Sequence, residues 1–209
     1  MSDALHIAEP GDAQEVSLAR AIALLGVTPG SAATFLFDNR GDLPGAWQIW
    51  QDQCLEPHLG PNFVEAYECG SQFRIDEVQA IDCLLDVKLT DQVRERSIAA
   101  GKPFLEGKEE MKGNKDWVKY NERVGKGHSP GHISVIFALQ SALYHLPLAS
   151  ALSAYIWFEF QSGLPRELSR ESLSELSTVF EKALVHVATA VREPVSYTHL
   201  RAHETPCHR

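Results

Sequence analysis

Ile133-Ser134-Val135-Ile136-Phe137-Ala138-Leu139-Gln140-Ser141-Ala142-Leu143-Tyr144 is the stretch that decides how this chain folds. Read at 3.6 residues per turn, it is apolar almost all round, which is the pattern of a helix enclosed by other elements rather than one lying on a surface. The longest apolar stretches, 133–139 and 154–160, fall far short of the roughly 20 residues a membrane span needs. A central buried helix of a soluble, cytoplasmic protein is therefore expected, with no membrane partner.

Helical spacing continues on both sides of it. Pro147 opens a helix over 148–160, and Ser172-x-x-Glu175 is a capping-box pattern in front of Leu176, Val179, Phe180, Leu184, Val187 and Val191. Upstream, Ile75, Val78, Ile81 and Leu85 make one face of an amphipathic helix over 75–87, and another helix runs from about 90 to 100. Its continuation beyond Gly101 and Pro103 is left open, with a kink or interruption expected at the proline. The segment 107–126 is charged and glycine-bearing, with Trp117 and Tyr120 as its only large apolar anchors, and reads as a long loop or a marginal helix. Pro44 and Pro61 each suit a first helical turn and introduce helices over 46–54 and 62–69. Residues 14–25 have helical spacing up to Gly26, whereas 33–37 is too short to assign between strand and helix. The sum is an all-α, single-domain bundle of about seven helices, without a fixed-period repeat.

The 209 residues suffice for one well-buried core without staples. Cys54, Cys69, Cys83 and Cys207 are isolated, with no CxxC pair, and read as reduced thiols rather than zinc ligands or a disulfide framework. A formal net charge of −9 with scattered Lys and Arg argues against nucleic acid as a partner.

Residues 1–12 are a loose polar lead-in, and 13–194 the helical domain. Val195-Ser-Tyr-Thr-His-Leu-Arg-Ala-His-Glu-Thr205 looks like one reading frame of a transposase adaptor used in sequencing libraries. On that reading 195–209 is a non-native tail, its histidines are no metal tract, and the natural chain is expected to run on past Pro194.

No GxSxG, HExxH, P-loop or GxGxxG pattern occurs, so no catalytic residues and no cofactor are assigned and a non-enzyme is expected. His128 and His132, four apart in Gly127-His-Ser-Pro-Gly-His132, are the candidates for a divalent metal. Pro130 and Gly131 lie between them, and a loop whose histidines cap or hydrogen-bond the next helix is favoured over a metal site. Asp82 and Asp86 read as part of a solvated face, and Trp47 and Trp50 as core or interface.

Two blocks then carry a resemblance. Thr90-x-x-x-Arg94-x-x-Ser97-x-x-x-Gly101, followed by Phe104-Leu105 and preceded by Ala80-Ile81-Asp82, resembles a helix pair of the urease accessory protein family UreF. Gly131-His132, Val135, Phe137, Leu139, Leu146-Pro147-Leu148, Ala151-Leu152 and Ala154-Tyr155 align without a gap to that family's Gly-His-x-Pro helix, its Leu-Pro-Leu turn and the helix that follows. Ser134 stands where the family usually has proline, and Ala138 and His145 where it usually has glycine. The resemblance implies an all-helical, non-catalytic scaffold that binds UreD (UreH), the GTPase UreG and apo-urease for nickel insertion, with a homodimer also possible in that family. It singles out Thr90, Arg94, Ser97, Gly101, Gly131, His132 and Tyr155 as motif or partner-binding positions. The alternatives are a helical adapter unrelated to urease and a helical enzyme that binds a small molecule in an apolar cavity.

Overall fold

The computed structural model describes residues 28–37, 39–106 and 109–164, and all regular structure among them is helical. A single turn, α1 (Ala33–Leu36), precedes α2 (Leu43–Trp50), a π-helical segment (Gln51–Leu59) and α3 (Gly60–Ser71). Then come α4 (Ile75–Lys88), α5 (Asp91–Glu106), a 3₁₀ turn (Glu109–Gly113), α6 (Lys115–Gly125), α7 (Ile133–Leu143) and α8 (Leu148–Gly163). The segments read from sequence as helices over 14–25 and 172–191, and the adaptor-like 195–209, lie outside the described residues.

α7 is the axis of the bundle. Every residue from Ile133 to Ala142 is buried. Its closest neighbour is α3, which it meets where Gly70 faces Leu139 and Ala142, and α5 and α8 pack on its other sides. Rings from four helices fill the centre: Phe137 lies 5.6 Å from Phe104, 6.0 Å from Tyr155 and 6.3 Å from Phe63, and Phe104 meets Phe158 edge-on at 5.9 Å. Trp47 and Trp50 are fully buried and stacked at 4.5 Å, so they are core residues. Cys54 and Cys69 are buried and unpaired, whereas Cys83 is only half-buried.

Three local expectations change. Helical backbone is unbroken from Leu43 to Ser71: a π segment fills the expected gap, and the α-helix resumes at Gly60 with Pro61 in its first turn, as read from the sequence. The widened π turns, closed by the Gly60 N–H to the Leu55 carbonyl, accept Pro57, whose ring and missing N–H would break an ordinary α-helix interior. α5 likewise continues through Pro103 to Glu106. The charged stretch holds a regular helix over Lys115–Gly125. The Asn114 side chain caps it by accepting from the N–H groups of Asp116 and Trp117, and burial of Trp117 and Tyr120 anchors it. The undecided 33–37 piece is helical, as the turn α1.

Three helices end in the same way, with a left-handed residue whose N–H, together with that of the next residue, satisfies the last carbonyls. At α6 that residue is Gly127 (φ +73°), but at α3 it is Phe73 (φ +58°) and at α7 His145 (φ +56°). His145 is the position where glycine was expected from the family. Its side chain is exposed, so His145→Gly removes backbone strain without losing packing. Allowing for the entropy glycine adds to the unfolded chain, a gain of about 0.5–1 kcal/mol is expected. A urea midpoint that rises with unchanged slope checks this, and a fall would contradict it.

Candidate functional site

Of the motif residues, Gly101, Gly131 and His132 converge where α4, α5 and α7 meet, around a carboxylate that its residue type placed in solvent. Asp82 is fully buried, because it falls on the Ile75, Val78, Ile81 and Leu85 face of α4. That corrects the solvated-face reading. Its Oδ2 accepts from the Ser129 hydroxyl at 2.6 Å, the Gly131 N–H at 2.7 Å and the Tyr120 hydroxyl at 2.8 Å, and its Oδ1 from the His132 N–H at 3.0 Å. Four buried donors from α6 and the following loop thus satisfy one carboxylate, which lies at the positive end of α7. Burial and the adjacent Asp82 charge push the Tyr120 hydroxyl well above its usual range, so Tyr120 remains a donor.

Gly101 explains why the loop can lie so close. A Cβ there would run into the Gly131 carbonyl oxygen and reach Ile136 Cδ1 at 2.7 Å. Gly131 itself has φ +84°, a left-handed conformation that suits glycine. The two glycines and His132 are therefore one contact, made between the first turn of α7 and the side of α5.

His132 is fully buried, with Nε2 3.3 Å from Asp86 Oδ1 and with neither ring nitrogen in a hydrogen bond. Burial lowers its pKa, although Asp82 and Asp86 pull the other way, so the ring is neutral at pH 7. His132 is the N-cap residue of α7, but no side chain makes a capping hydrogen bond there; Asp82 instead holds the Gly131 and His132 N–H groups just ahead of the helix. His128 is exposed, and its carbonyl accepts from Gln79 and Cys83. With His132 enclosed and His128 outside, the two candidate metal ligands do not share a face, and no group of three or more metal-ligating side chains occurs among the described residues.

Arg94 is half-buried, pairing with Asp91 at 2.7 Å and lying 3.9 Å from Asp86. Thr90 is exposed, and its carbonyl accepts from the Arg94 N–H at 2.8 Å. Ser97 is fully buried with no partner for its hydroxyl. Tyr155 belongs to a second cluster at the far side of the core.

There Glu159, also fully buried, accepts from the Tyr155 hydroxyl at 2.7 Å, the Ala32 N–H at 2.9 Å and the Ser31 hydroxyl at 3.1 Å. Ser31 in turn accepts from the Trp50 indole N–H. Burial raises the Glu159 carboxyl, while its three donors oppose the shift. Sequence reading did not single out Glu159. Its signal is the four-residue step from Tyr155, on the buried side of α8.

A second buried carboxylate thus ties a glycine-bearing segment, Gly30 to Ala32, ahead of α1, much as Asp82 ties 129–132 ahead of α7. No group at either cluster is left in the arrangement of a nucleophile beside a base.

A family model described as UreF matches residues 46–161, more than half of the chain and nearly all of the described fold. No curated protein and no solved structure matches it.

Proposed function

The chain belongs to the UreF family of urease accessory proteins, and from that premise we propose that it is a non-catalytic, cytoplasmic docking scaffold that joins UreD (UreH) and the GTPase UreG to apo-urease during nickel insertion. The family match over 46–161 carries this reading. Two features of the fold support it. The buried carboxylates are consumed inside the protein by seven donors between them, which makes them framework and leaves function to the surface. Among the described residues no helix is long and apolar enough to cross a membrane.

In this reading Gly101, Gly131 and His132 hold α7 against α5, while Tyr155 donates to Glu159, the carboxylate that secures α8 to the segment before α1. Ser97 lies on the same helix as Gly101, where its small side chain keeps α5 close to its neighbours. Contacts with partners then fall to exposed apolar side chains. Leu84 and Val87 stand on the outer side of α4, opposite its buried face, and Phe73 caps the preceding turn at 58% exposure. Surface of that kind is suited to burial against another protein.

The test is co-expression with UreD and UreG from the same genome, followed by pull-down. The chain should co-purify with both, and alone should hydrolyse neither GTP nor urea. A well-folded protein that binds neither partner at micromolar concentration overturns the urease assignment in favour of an unrelated adapter.

Arg94 separates framework from docking within the same assay. Its partners are Asp91 and Asp86 of its own chain, so Arg94→Ala is expected to cost less than about 1 kcal/mol, as partly exposed ion pairs do, and to leave co-purification intact. Lost complex formation at unchanged stability would show instead that the guanidinium is presented to a partner.

A further inference from the structure

Where α4, α5 and α7 meet, Asp82 is satisfied by four donors, but the ring of His132 beside it is not satisfied at all. That ring is fully enclosed, and neither Nδ1 nor Nε2 makes a hydrogen bond. We propose that His132 is an acid-sensitive pin: uncharged, it sits in the junction and keeps the first turn of α7 in place, and charged, it loosens that turn from the side of α5. The device belongs to the fold and does not rest on the accessory role proposed above.

An imidazolium has two N–H donors and a full charge, and both need partners once water is excluded. The groups facing His132 do not provide them. From α4, Asp86 Oδ1 lies 3.3 Å from Nε2, but this carboxylate is half-exposed and is shared with Arg94 Nε at 3.9 Å. Asp82, one turn earlier, favours a proton on the ring by its charge, yet its Oδ2 holds three donors and its Oδ1 accepts from the backbone N–H of His132 itself. From α5, Arg94 opposes a second positive charge, its closer partner being Asp91 at 2.7 Å. From α6, Tyr120 is a neutral donor already engaged by Asp82. α7 adds the positive end of its own dipole. Burial is the largest influence on the ring and outweighs both aspartates, holding its pKa below the ordinary histidine value.

The backbone next to the ring turns this into movement. Gly131 is held at φ +84°, and its carbonyl lies so close to Gly101 that no Cβ fits between them. A charged His132 that swings out to water draws this neighbouring residue with it and opens the contact between α7 and α5. A histidine whose folded pKa lies below its unfolded value of about 6.5 gives stability that is complete above that pH and is lost as pH falls through it, because the open chain takes up the proton first. One proton limits the effect to about a tenfold rise in the opening equilibrium per pH unit.

The full chain is followed by NMR from about pH 7.5 to about pH 5, either side of the ordinary histidine value, reading the His132 ring Cε1–H shift and amide protection factors. The ring is expected to titrate below about 6.5, and protection at Gly131, His132 and Ile133 to fall with acidification before that of α3 does. His132→Gln keeps a polar side chain that cannot charge, and should abolish this pH dependence. Asp86→Asn, at a half-exposed position, keeps the fold while removing the charge beside Nε2, and should lower the ring's midpoint further and extend the loss of protection to lower pH. A ring that titrates at or above about 6.5 overturns the proposal, because it shows that the charged form is tolerated in place. So does protection at 131–133 that acid leaves unchanged, or a His132→Gln variant that keeps the pH dependence of the wild type. If His132→Gln fails to fold, Asp86→Asn decides, and an unchanged or raised ring midpoint in that variant overturns the proposal as well.

Discussion

Asp82→Ala is expected to destabilise the fold by about 4 kcal/mol, among the largest effects of any single substitution in the described residues. The reason is the number of donors it would orphan. Tyr120, Ser129, Gly131 and His132 all donate to this carboxylate from enclosed positions, and truncation leaves each to find water that cannot easily enter. Each unsatisfied buried donor costs roughly 1–3 kcal/mol, and relaxation of the loop recovers part of the total. Asp82→Asn gives a graded comparison. With its amide oxygen in the Oδ2 position it still accepts from Tyr120, Ser129 and Gly131, and sets its NH₂ against the His132 N–H alone. A cost of about 1–2 kcal/mol is expected for that variant. Urea denaturation should therefore rank wild type above Asn and Asn above Ala, with amide exchange at Gly131 and His132 accelerating in the same order. Equal stability of the alanine variant and wild type would show that the knot is not what holds 129–132 against α4.

The second large effect is at Gly101, where two terms oppose each other. Alanine is the better helix former by about 1 kcal/mol, so propensity alone predicts stabilisation. Sterics win at this position, because the new Cβ would press on the Gly131 carbonyl oxygen and on Ile136 Cδ1, and the first of these is backbone held in place by Asp82. α5 can make room only by moving away from α7 and opening the packing around Phe104 and Phe137. Gly101→Ala is expected to lose about 2–3 kcal/mol net. Gly125, the last residue of α6, is the internal control. A Cβ there meets nothing within 4 Å, so Gly125→Ala should be neutral or slightly stabilising. If both glycines respond with the same sign, close approach is not what selects glycine at 101.

Much of the architecture was legible in the chain itself. The continuous apolarity of 133–144 announced the central helix, since a segment without a polar face can only be enclosed. The spacing of Thr90, Arg94, Ser97 and Gly101, with Gly131-His132 thirty residues beyond Gly101, carried the family, and the motif glycines proved to be one contact. Elements failed to be legible where a local rule was outweighed. Pro57 and Pro103 normally interrupt helices, but the first lies in a π segment whose wider turns accept it and α5 runs through the second to Glu106. The charged segment 107–126 looked marginal because only two large apolar residues anchor it, yet Trp117 and Tyr120 are both enclosed and Asn114 supplies the cap.

What the amino-acid sequence determined unaided was which residues face inward along a helix, because that depends on neighbours three and four positions away and on nothing else. What only the tertiary structure decided was the fate of the charged groups. Asp82 falls on the apolar face of α4 and Asp86, one turn on, beside it; that a carboxylate could stay on that face as a buried knot, while Asp86 is half-exposed, is not read from spacing. The difference is made by donors 38 to 50 residues further along, and for Glu159 by an N–H and a hydroxyl 127 and 128 residues away. A carboxylate can leave water only where such donors converge on it, and convergence of distant segments is a property of the packed chain that no local period encodes.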